Sequence, residues 1–188
     1  MENIKHIGTL NGRIFLVSGV KAFKQWRGIR ENENSETNYD LLDDFISYEE
    51  GDLTLFKKSL TEVFSVFFSM SSKIEIFKKD NRLIIFDGLY FNESWDDYII
   101  KNQIEVIGEI SFEINFNDEV IVIFDATLDG NKVFSTNKEG VWSSFDEPFN
   151  SYATVTLPQE SYKAKRIKTI IYHNKQEVII YGIEFLPN

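Results

Sequence analysis

The side chains in this sequence that are best suited to binding or catalysis are carboxylates, and they are concentrated in one stretch. Residues 31–52 contain no Lys or Arg and hold nine acidic side chains: Glu31, Glu33, Glu36, Asp40, Asp43, Asp44, Glu49, Glu50 and Asp52. The formal net charge of the whole chain is -10, so this stretch accounts for most of the imbalance. Clustered like charges repel one another and favour encounter with a basic partner. We therefore expect a partner-binding surface here; the alternative is a solvated acidic loop that keeps the protein soluble.

A short apolar set lies inside this acidic stretch, made up of Tyr39, Leu41, Leu42, Phe45 and Ile46. The combination predicts a helix over about residues 38–47, with one side tethered to a core and the other presenting negative charge to solvent. A second candidate edge of the same surface is formed by Trp95, Asp96 and Asp97.

No arrangement of residues is typical of a catalytic or metal site. His6 and His173 are the only histidines, and neither has a metal-ligand pattern or a nucleophile–base pair nearby, so both are expected on strand surfaces. The trio Asp40, Asp43 and Asp44 lacks the alternate spacing and central Gly of a calcium loop. A glycosidase-like carboxylate pair stays open, because sequence does not show the separation of two acids across a cleft. We predict no enzymatic activity, cofactor or metal.

Composition narrows the class of partner. The sequence pI is near 4.7, which disfavours duplex nucleic acid and anionic membrane surfaces, because both are bound through basic footprints. There is no Cys, so disulfides and thiolate chemistry are excluded. The amino-terminal residues lack the pattern of a signal peptide, and no apolar run reaches the length of a membrane span. These features predict a cytoplasmic protein.

Aromatic residues dominate the apolar composition, with 17 Phe, 8 Tyr and 3 Trp in 188 residues. Such residues suit pleated surfaces, so the sequence predicts a mainly β fold with few short helices and an antiparallel, sandwich-like architecture. Asn11-Gly12 and Asp80-Asn81 each read as a hairpin turn. Residues 119–126 form the most apolar run and are expected to be a central strand, while Gly108 is expected to mark a bend or bulge.

The order of these signals repeats along the chain, with the two halves meeting near residues 91–100. This repetition favours either a duplication of β-rich units, at residues 1–92 and 93–188, or one large sandwich with pseudo-twofold symmetry.

Two segments resemble a known family. The run NGRIFLVSGVKAFKQWRGI, followed after a polar spacer by NYDLLDDF, is similar to the amino-terminal pattern of the immunity protein 21 family. The later VIFDATLDG resembles that family's second marker, and together the matching positions are Gly12, Trp26, Gly28, Tyr39, Asp40, Phe124, Asp125, Ala126 and Gly130. The chain departs from the family pattern at residues 11–13 and 41–43.

The resemblance implies a cytoplasmic bacterial protein that binds and neutralises the toxin of a polymorphic-toxin system. It also implies that the motif residues are structural: Gly for turns, Trp and Tyr for packing, Asp for capping. An acidic inhibitor of this kind would cover the basic face of its toxin. The competing interpretation is a carbohydrate-binding β-sandwich that uses Trp95, Tyr98 and Tyr90 as stacking platforms, although a missing secretion signal argues against it.

Overall fold

A computed structural model describes residues 4–28, 37, 42, 53–57, 63–69, 72–88, 104–130, 138–143, 151–158, 161–173 and 176–188. Within these ranges the chain forms two antiparallel six-stranded sheets that pack face to face, which confirms the predicted mainly β, sandwich-like fold. Across these ranges no helix has the length and apolar character needed to cross a bilayer.

The first sheet, sheet A, contains six strands in the spatial order β1 (Ile4–Asn11), β5 (Lys73–Lys79), β6 (Arg82–Asp87), β12 (Gln176–Pro187), β11 (Ser161–His173) and β7 (Glu105–Asn115). The second, sheet B, has the order β3 (Leu53–Lys57), β4 (Val63–Phe68), β2 (Ile14–Gly19), β8 (Val120–Asp125), β10 (Ser151–Thr156) and β9 (Gly140–Ser143). A single turn of helix, α1 (Val20–Phe23), follows β2.

The central core lies between the two sheets because alternate strand residues point to the same side. In β5, Ile74 and Ile76 point into this core, whereas Glu75 and Phe77 point to the outer face of sheet A. The two faces of this strand therefore pack in different surroundings. Both outer faces are also partly apolar: one cluster covers sheet B around Phe124, and another covers sheet A around Phe86.

The predicted hairpin at Asn11-Gly12 is wrong. Strand β1 pairs with β5 in sheet A, whereas β2 pairs with β4 and β8 in sheet B, so this turn carries the chain from one sheet to the other. A tertiary hydrogen bond holds the turn: the Gly12 N–H donates to the Ser72 carbonyl oxygen at 3.1 Å. Leu10 and Phe15, on either side of the turn, then face the same core from opposite sheets.

Three other local predictions are confirmed. Asp80, with φ of 52°, forms the turn of the β5–β6 hairpin. Strand β8 lies between β2 and β10 near the middle of sheet B, as expected for the most apolar run. The pairing of β7 with β11 shifts register next to Gly108, where a bulge was expected.

The strand order is palindromic. In sheet A the order β1-β5-β6 is followed by β12-β11-β7, and in sheet B the order β3-β4-β2 is followed by β8-β10-β9. Strands β1 to β6 therefore occupy positions that match those of β7 to β12 one by one, as a twofold arrangement requires. Both halves contribute to both sheets. The division into residues 1–92 and 93–188 stays a prediction, since residues 89–103 lie outside the described ranges.

Candidate functional site

The predicted partner-binding residues all lie outside the part of the chain that the structure describes. This holds for the nine acids of residues 31–52 and for the second candidate edge: Glu31, Glu33, Glu36, Asp40, Asp43, Asp44, Glu49, Glu50, Asp52, Trp95, Asp96 and Asp97. The stacking platforms of the carbohydrate-binding alternative, Tyr90, Trp95 and Tyr98, also lie there. Both predictions of binding residues therefore stay predictions.

Leu42 is a described residue of the acidic stretch that contacts the fold. Its side chain is fully buried in the outer cluster of sheet B, which also contains Trp26, Phe124 and Tyr152. Tethering of this stretch to a core was expected from its apolar residues, and Leu42 shows that contact. Asp40, Asp43 and Asp44 are within two positions of Leu42 in sequence.

Trp26 holds the centre of the cluster that buries Leu42. Its Nε1 donates to the Ala126 carbonyl oxygen at 2.8 Å, and the Gly130 N–H donates to the Trp26 carbonyl oxygen at 2.9 Å. The ring of Phe124 lies 6.3 Å from that of Trp26 in an edge-on arrangement and 4.5 Å from that of Phe23. Segments about a hundred residues apart in sequence are thus packed into one unit.

Glycine is required where these two segments approach most closely. Gly28 has φ of +60°, and a Cβ atom there would lie 2.2 Å from the Thr127 carbonyl oxygen. A Cβ atom at Gly130 would lie 1.8 Å from the Phe23 carbonyl oxygen. Any larger residue at either position would push the two backbones apart.

Asp125 ties the same unit to the crossover between the sheets. Its Oδ1 accepts hydrogen bonds from the Thr127 N–H at 2.9 Å and the Thr127 hydroxyl at 2.5 Å, and its Oδ2 accepts from the Arg13 N–H at 3.2 Å. Gly12 packs against this carboxylate, since a Cβ atom there would lie 2.1 Å from Oδ2. The described motif residues therefore make structural contacts, as the resemblance implied for them.

A buried ionic cluster on the outer face of sheet A has no counterpart among the sequence predictions. The Glu75 carboxylate is completely buried, with His6 Nε2 at 2.9 Å, Lys73 Nζ at 3.0 Å and a hydrogen bond of 2.6 Å from the Thr9 hydroxyl. Burial raises the pKa of Glu75, but these hydrogen bonds and the Lys73 charge outweigh it, so the pKa lies below its ordinary value. His6 was expected on a strand surface; it belongs to β1 but is engaged with Glu75. The cluster joins β1 to β5.

A second ionic contact bridges the two sheets. Glu139, which directly precedes β9 in sheet B, binds Lys5 Nζ at 2.8 Å and Lys78 Nζ at 2.5 Å, both in sheet A. Burial acts to raise the pKa of Glu139, but hydrogen bonds from Lys5, Lys78 and the Thr156 N–H lower it to about 2. The bridge closes the β1 side of the sandwich.

Exposed aliphatic side chains mark the opposite side of sheet A. Val106 and Ile107 in the edge strand β7 are 47% and 43% exposed, and the cross-strand pair Ile170 and Ile179 in β11 and β12 is also exposed. Exposed apolar side chains on a sheet can contribute to an interaction surface.

Within the described ranges no three His, Asp or Glu side chains converge on a point that could hold a metal ion. The chain was compared with models of protein families, with characterised proteins and with solved structures, and no match was found in any of the three. The resemblance to the immunity protein 21 family therefore stays a prediction.

Proposed function

We propose that this protein is an immunity protein that binds a basic bacterial toxin through its acidic stretch, residues 31–52, and thereby neutralises it. The observation that carries the proposal is the segregation of charge along the chain. The acidic stretch has nine carboxylates and no basic residue, whereas the other 166 residues hold 21 acidic and 20 basic residues. Nearly all of the net charge therefore belongs to one short stretch.

The contacts within the scaffold support this interpretation. Several of its acids are paired with basic side chains: Glu75 with Lys73, Glu139 with Lys5 and Lys78, Glu184 with Arg82, and Glu105 with Lys168. Basic residues of the sheets thus neutralise acids of the sheets. Residues 31–52 contain no basic side chain to neutralise their carboxylates. The Lys and Arg side chains of a partner would neutralise them, and close charge pairs of this kind couple strongly across interfaces.

The anchoring of the acidic stretch also favours binding. Leu42 is fixed in the cluster of Trp26 and Phe124, so the stretch is attached to a packed sheet near its own middle. Such an attachment lowers the conformational entropy that the stretch would lose when it binds. Trp95, Asp96 and Asp97 are proposed as a second edge of the same contact. A cytoplasmic location belongs to the same proposal, because an immunity protein protects the cell that makes it.

The test uses the protein encoded directly upstream of this gene as the candidate toxin. We compare the wild type with D43N/D44N and with a control, E119Q/E177Q, which removes the same charge from exposed scaffold positions. Association rates are measured by stopped-flow fluorescence at rising salt concentration, and growth of cells that produce the toxin reports neutralisation.

The rate constant is expected to fall several-fold in D43N/D44N at low salt and to converge with the wild type at high salt, because salt screens long-range attraction. The control should remain near the wild type. An association rate that does not depend on salt, or an equal loss in both variants, would show that residues 31–52 do not carry the interaction.

A further inference from the structure

Strand β1 lies at one edge of sheet A, and its first six residues make few buried apolar contacts. None of residues 4–9 is fully buried, and the first fully buried residue of the strand is Leu10. Ile7 packs against the central core and Ile4 against the outer cluster of sheet A, but both are only partly buried. Apolar burial therefore contributes less to the attachment of residues 4–9 than it does in the middle of the sandwich.

A β-bulge turns two polar side chains of this segment onto the same face of the sheet. The register of β1 against β5 shifts between His6 and Gly8, so Ile7 is an extra residue. Residues three apart in a regular strand point to opposite faces, but the extra residue brings Thr9 onto the face of His6. Both side chains then reach the buried carboxylate of Glu75, His6 Nε2 at 2.9 Å and the Thr9 hydroxyl at 2.6 Å.

A second carboxylate holds the opposite face of the same segment. Lys5 points away from the face of Glu75, because neighbouring residues of a strand alternate, and its Nζ lies 2.8 Å from Glu139 of the other sheet. Lys78, the residue opposite Lys5 in β5, also binds Glu139. Residues 4–9 are thus held by one carboxylate of their own sheet and by one carboxylate of the other.

We propose that residues 4–9 are an acid-sensitive latch, which separates from β5 when Glu75 and Glu139 are protonated while the remainder of the sandwich stays folded. The inference does not depend on the proposed function. The hinge of the latch is Leu10, which is fully buried in the central core. The turn after it is fixed separately by the hydrogen bond from the Gly12 N–H. The contacts that must break form an ionic clamp, made up of Lys5, His6, Thr9, Glu75 and Glu139.

Acid favours the open form because the two carboxylates of the ionic clamp bind protons more readily without the donors of β1. Burial acts to raise both pKa values, but hydrogen bonds, several of them from β1, lower the pKa of Glu75 and bring that of Glu139 to about 2. When β1 opens, these donors leave, and both pKa values move back toward the ordinary 4.5. The closed form is therefore favoured above about pH 4.5, and it loses this advantage as the pH falls toward 2.

The other charged groups around the ionic clamp stay in place when β1 opens. Among the described strands they belong to β5, β6 and β12: Lys73, Lys78, Lys79, Arg82 and Glu184. Lys73 Nζ lies 3.0 Å from Glu75, whereas Arg82 and Glu184 are paired with each other at 3.4 Å. Because these groups are present in the closed and the open form, the difference in proton binding between the two forms comes from the donors of β1.

The test is hydrogen–deuterium exchange of the intact protein at pH 5 and pH 3, corrected for the chemical exchange rate at each pH. An imidazole ordinarily titrates near about pH 6.5, above this window, so the comparison reports the carboxylates. The variants are Lys5→Met, E139Q, these two combined, and Thr9→Val, which removes a donor to the other carboxylate. The matched control E105Q breaks the exposed ion pair of β7, the opposite edge strand of sheet A. Exchange at residues 14–19 reports the sandwich itself.

In the wild type, protection of residues 4–9 should fall about tenfold between pH 5 and pH 3, because one unit of pKa difference changes an equilibrium constant tenfold. Residues 14–19 should stay protected. Each single variant of the ionic clamp should lose about threefold at pH 5, and Lys5→Met combined with E139Q should lose little more than either alone. E105Q should leave residues 4–9 unchanged. An equal loss at residues 14–19 in acid, unchanged protection of residues 4–9, or additive losses in the combined variant would each overturn the proposal.

Discussion

The indole Nε1 of Trp26 donates a hydrogen bond of 2.8 Å to the carbonyl oxygen of Ala126, which lies 100 positions further along the chain. Trp26 is 1% exposed, and its ring packs in the cluster that also buries Leu42. One buried donor thus joins the first half of the chain to the second and supports the point where the acidic stretch meets the fold. The stability of the scaffold and the placement of the proposed binding stretch are therefore linked through this residue.

Replacement of Trp26 by Phe should destabilise the protein by about 2 kcal/mol, because it removes buried ring volume and leaves the Ala126 carbonyl oxygen without this donor. The control is Trp142→Phe. Trp142 is only half-buried, and its acceptor, the Thr154 hydroxyl, keeps its bond to the Lys138 carbonyl oxygen. Urea unfolding measures both variants. Equal losses would show that the Trp26 contact has no special role.

The crossover between the sheets should tolerate no side chain at Gly12. Gly12→Ala would place a Cβ atom 2.1 Å from Asp125 Oδ2, so the carboxylate has to move away from its three donors. We expect a loss of about 2 kcal/mol in the free energy of unfolding. Gly108→Ala is the matched control within the other half, since its Cβ has room, and the change there should be neutral or slightly stabilising. A neutral Gly12→Ala would contradict the tight packing of this turn.

Composition and local sequence patterns were enough to predict a mainly β, sandwich-like fold. The central position of β8 and the bulge beside Gly108 follow from apolar spacing and from the properties of Gly. The hairpin predicted at Asn11-Gly12 is wrong because the same dipeptide suits both a hairpin and a crossover between sheets. What separates these outcomes is a contact with Asp125, more than a hundred positions away, and no local pattern contains it.

Among the site residues, too, some could be predicted from the sequence and others could not. The residues that resemble family markers, such as Trp26 and Asp125, were predicted to be structural, and their contacts agree. The burial of Glu75 was not predictable from the sequence, because an acid at an alternate position of a strand usually points to solvent. Its burial depends on Thr9 and His6 of a strand that joins it only in the folded sheet.

The bridge at Glu139 should make stability depend on pH. Since the pKa of Glu139 is about 2 in the folded chain and near 4.5 without these contacts, the unfolded chain binds more protons between these values. The contribution is therefore complete above about pH 4.5, and it is lost as the pH falls through the window toward 2. Urea unfolding between pH 2 and pH 7 should show this decline.

Glu139→Gln isolates that contribution. The variant should lose about 2 kcal/mol at neutral pH and should show a smaller decline in acid than the wild type. Glu75, whose pKa is also lowered, keeps part of the decline in the variant. Glu119→Gln, at an exposed position, removes the same charge and should leave the profile unchanged. If Glu139→Gln follows the wild-type profile in parallel, the bridge to Lys5 and Lys78 does not contribute in solution.

Two threonines with equal burial offer a test of hydrogen bonding in the sheets. Thr169 and Thr154 are each 1% exposed. The Thr169 hydroxyl has no hydrogen-bond partner among the described residues. The Thr154 hydroxyl, in contrast, donates to the Lys138 carbonyl oxygen and accepts from Trp142 Nε1. Thr169→Val should therefore stabilise the protein by about 1 kcal/mol, because it removes a buried polar atom that gains nothing in the fold. Thr154→Val should destabilise it by about 1–2 kcal/mol, since Trp142 Nε1 and the Lys138 carbonyl oxygen both lose their partner. Thermal unfolding of both variants gives the comparison, and a destabilised Thr169→Val would reveal a hydrogen bond from this hydroxyl.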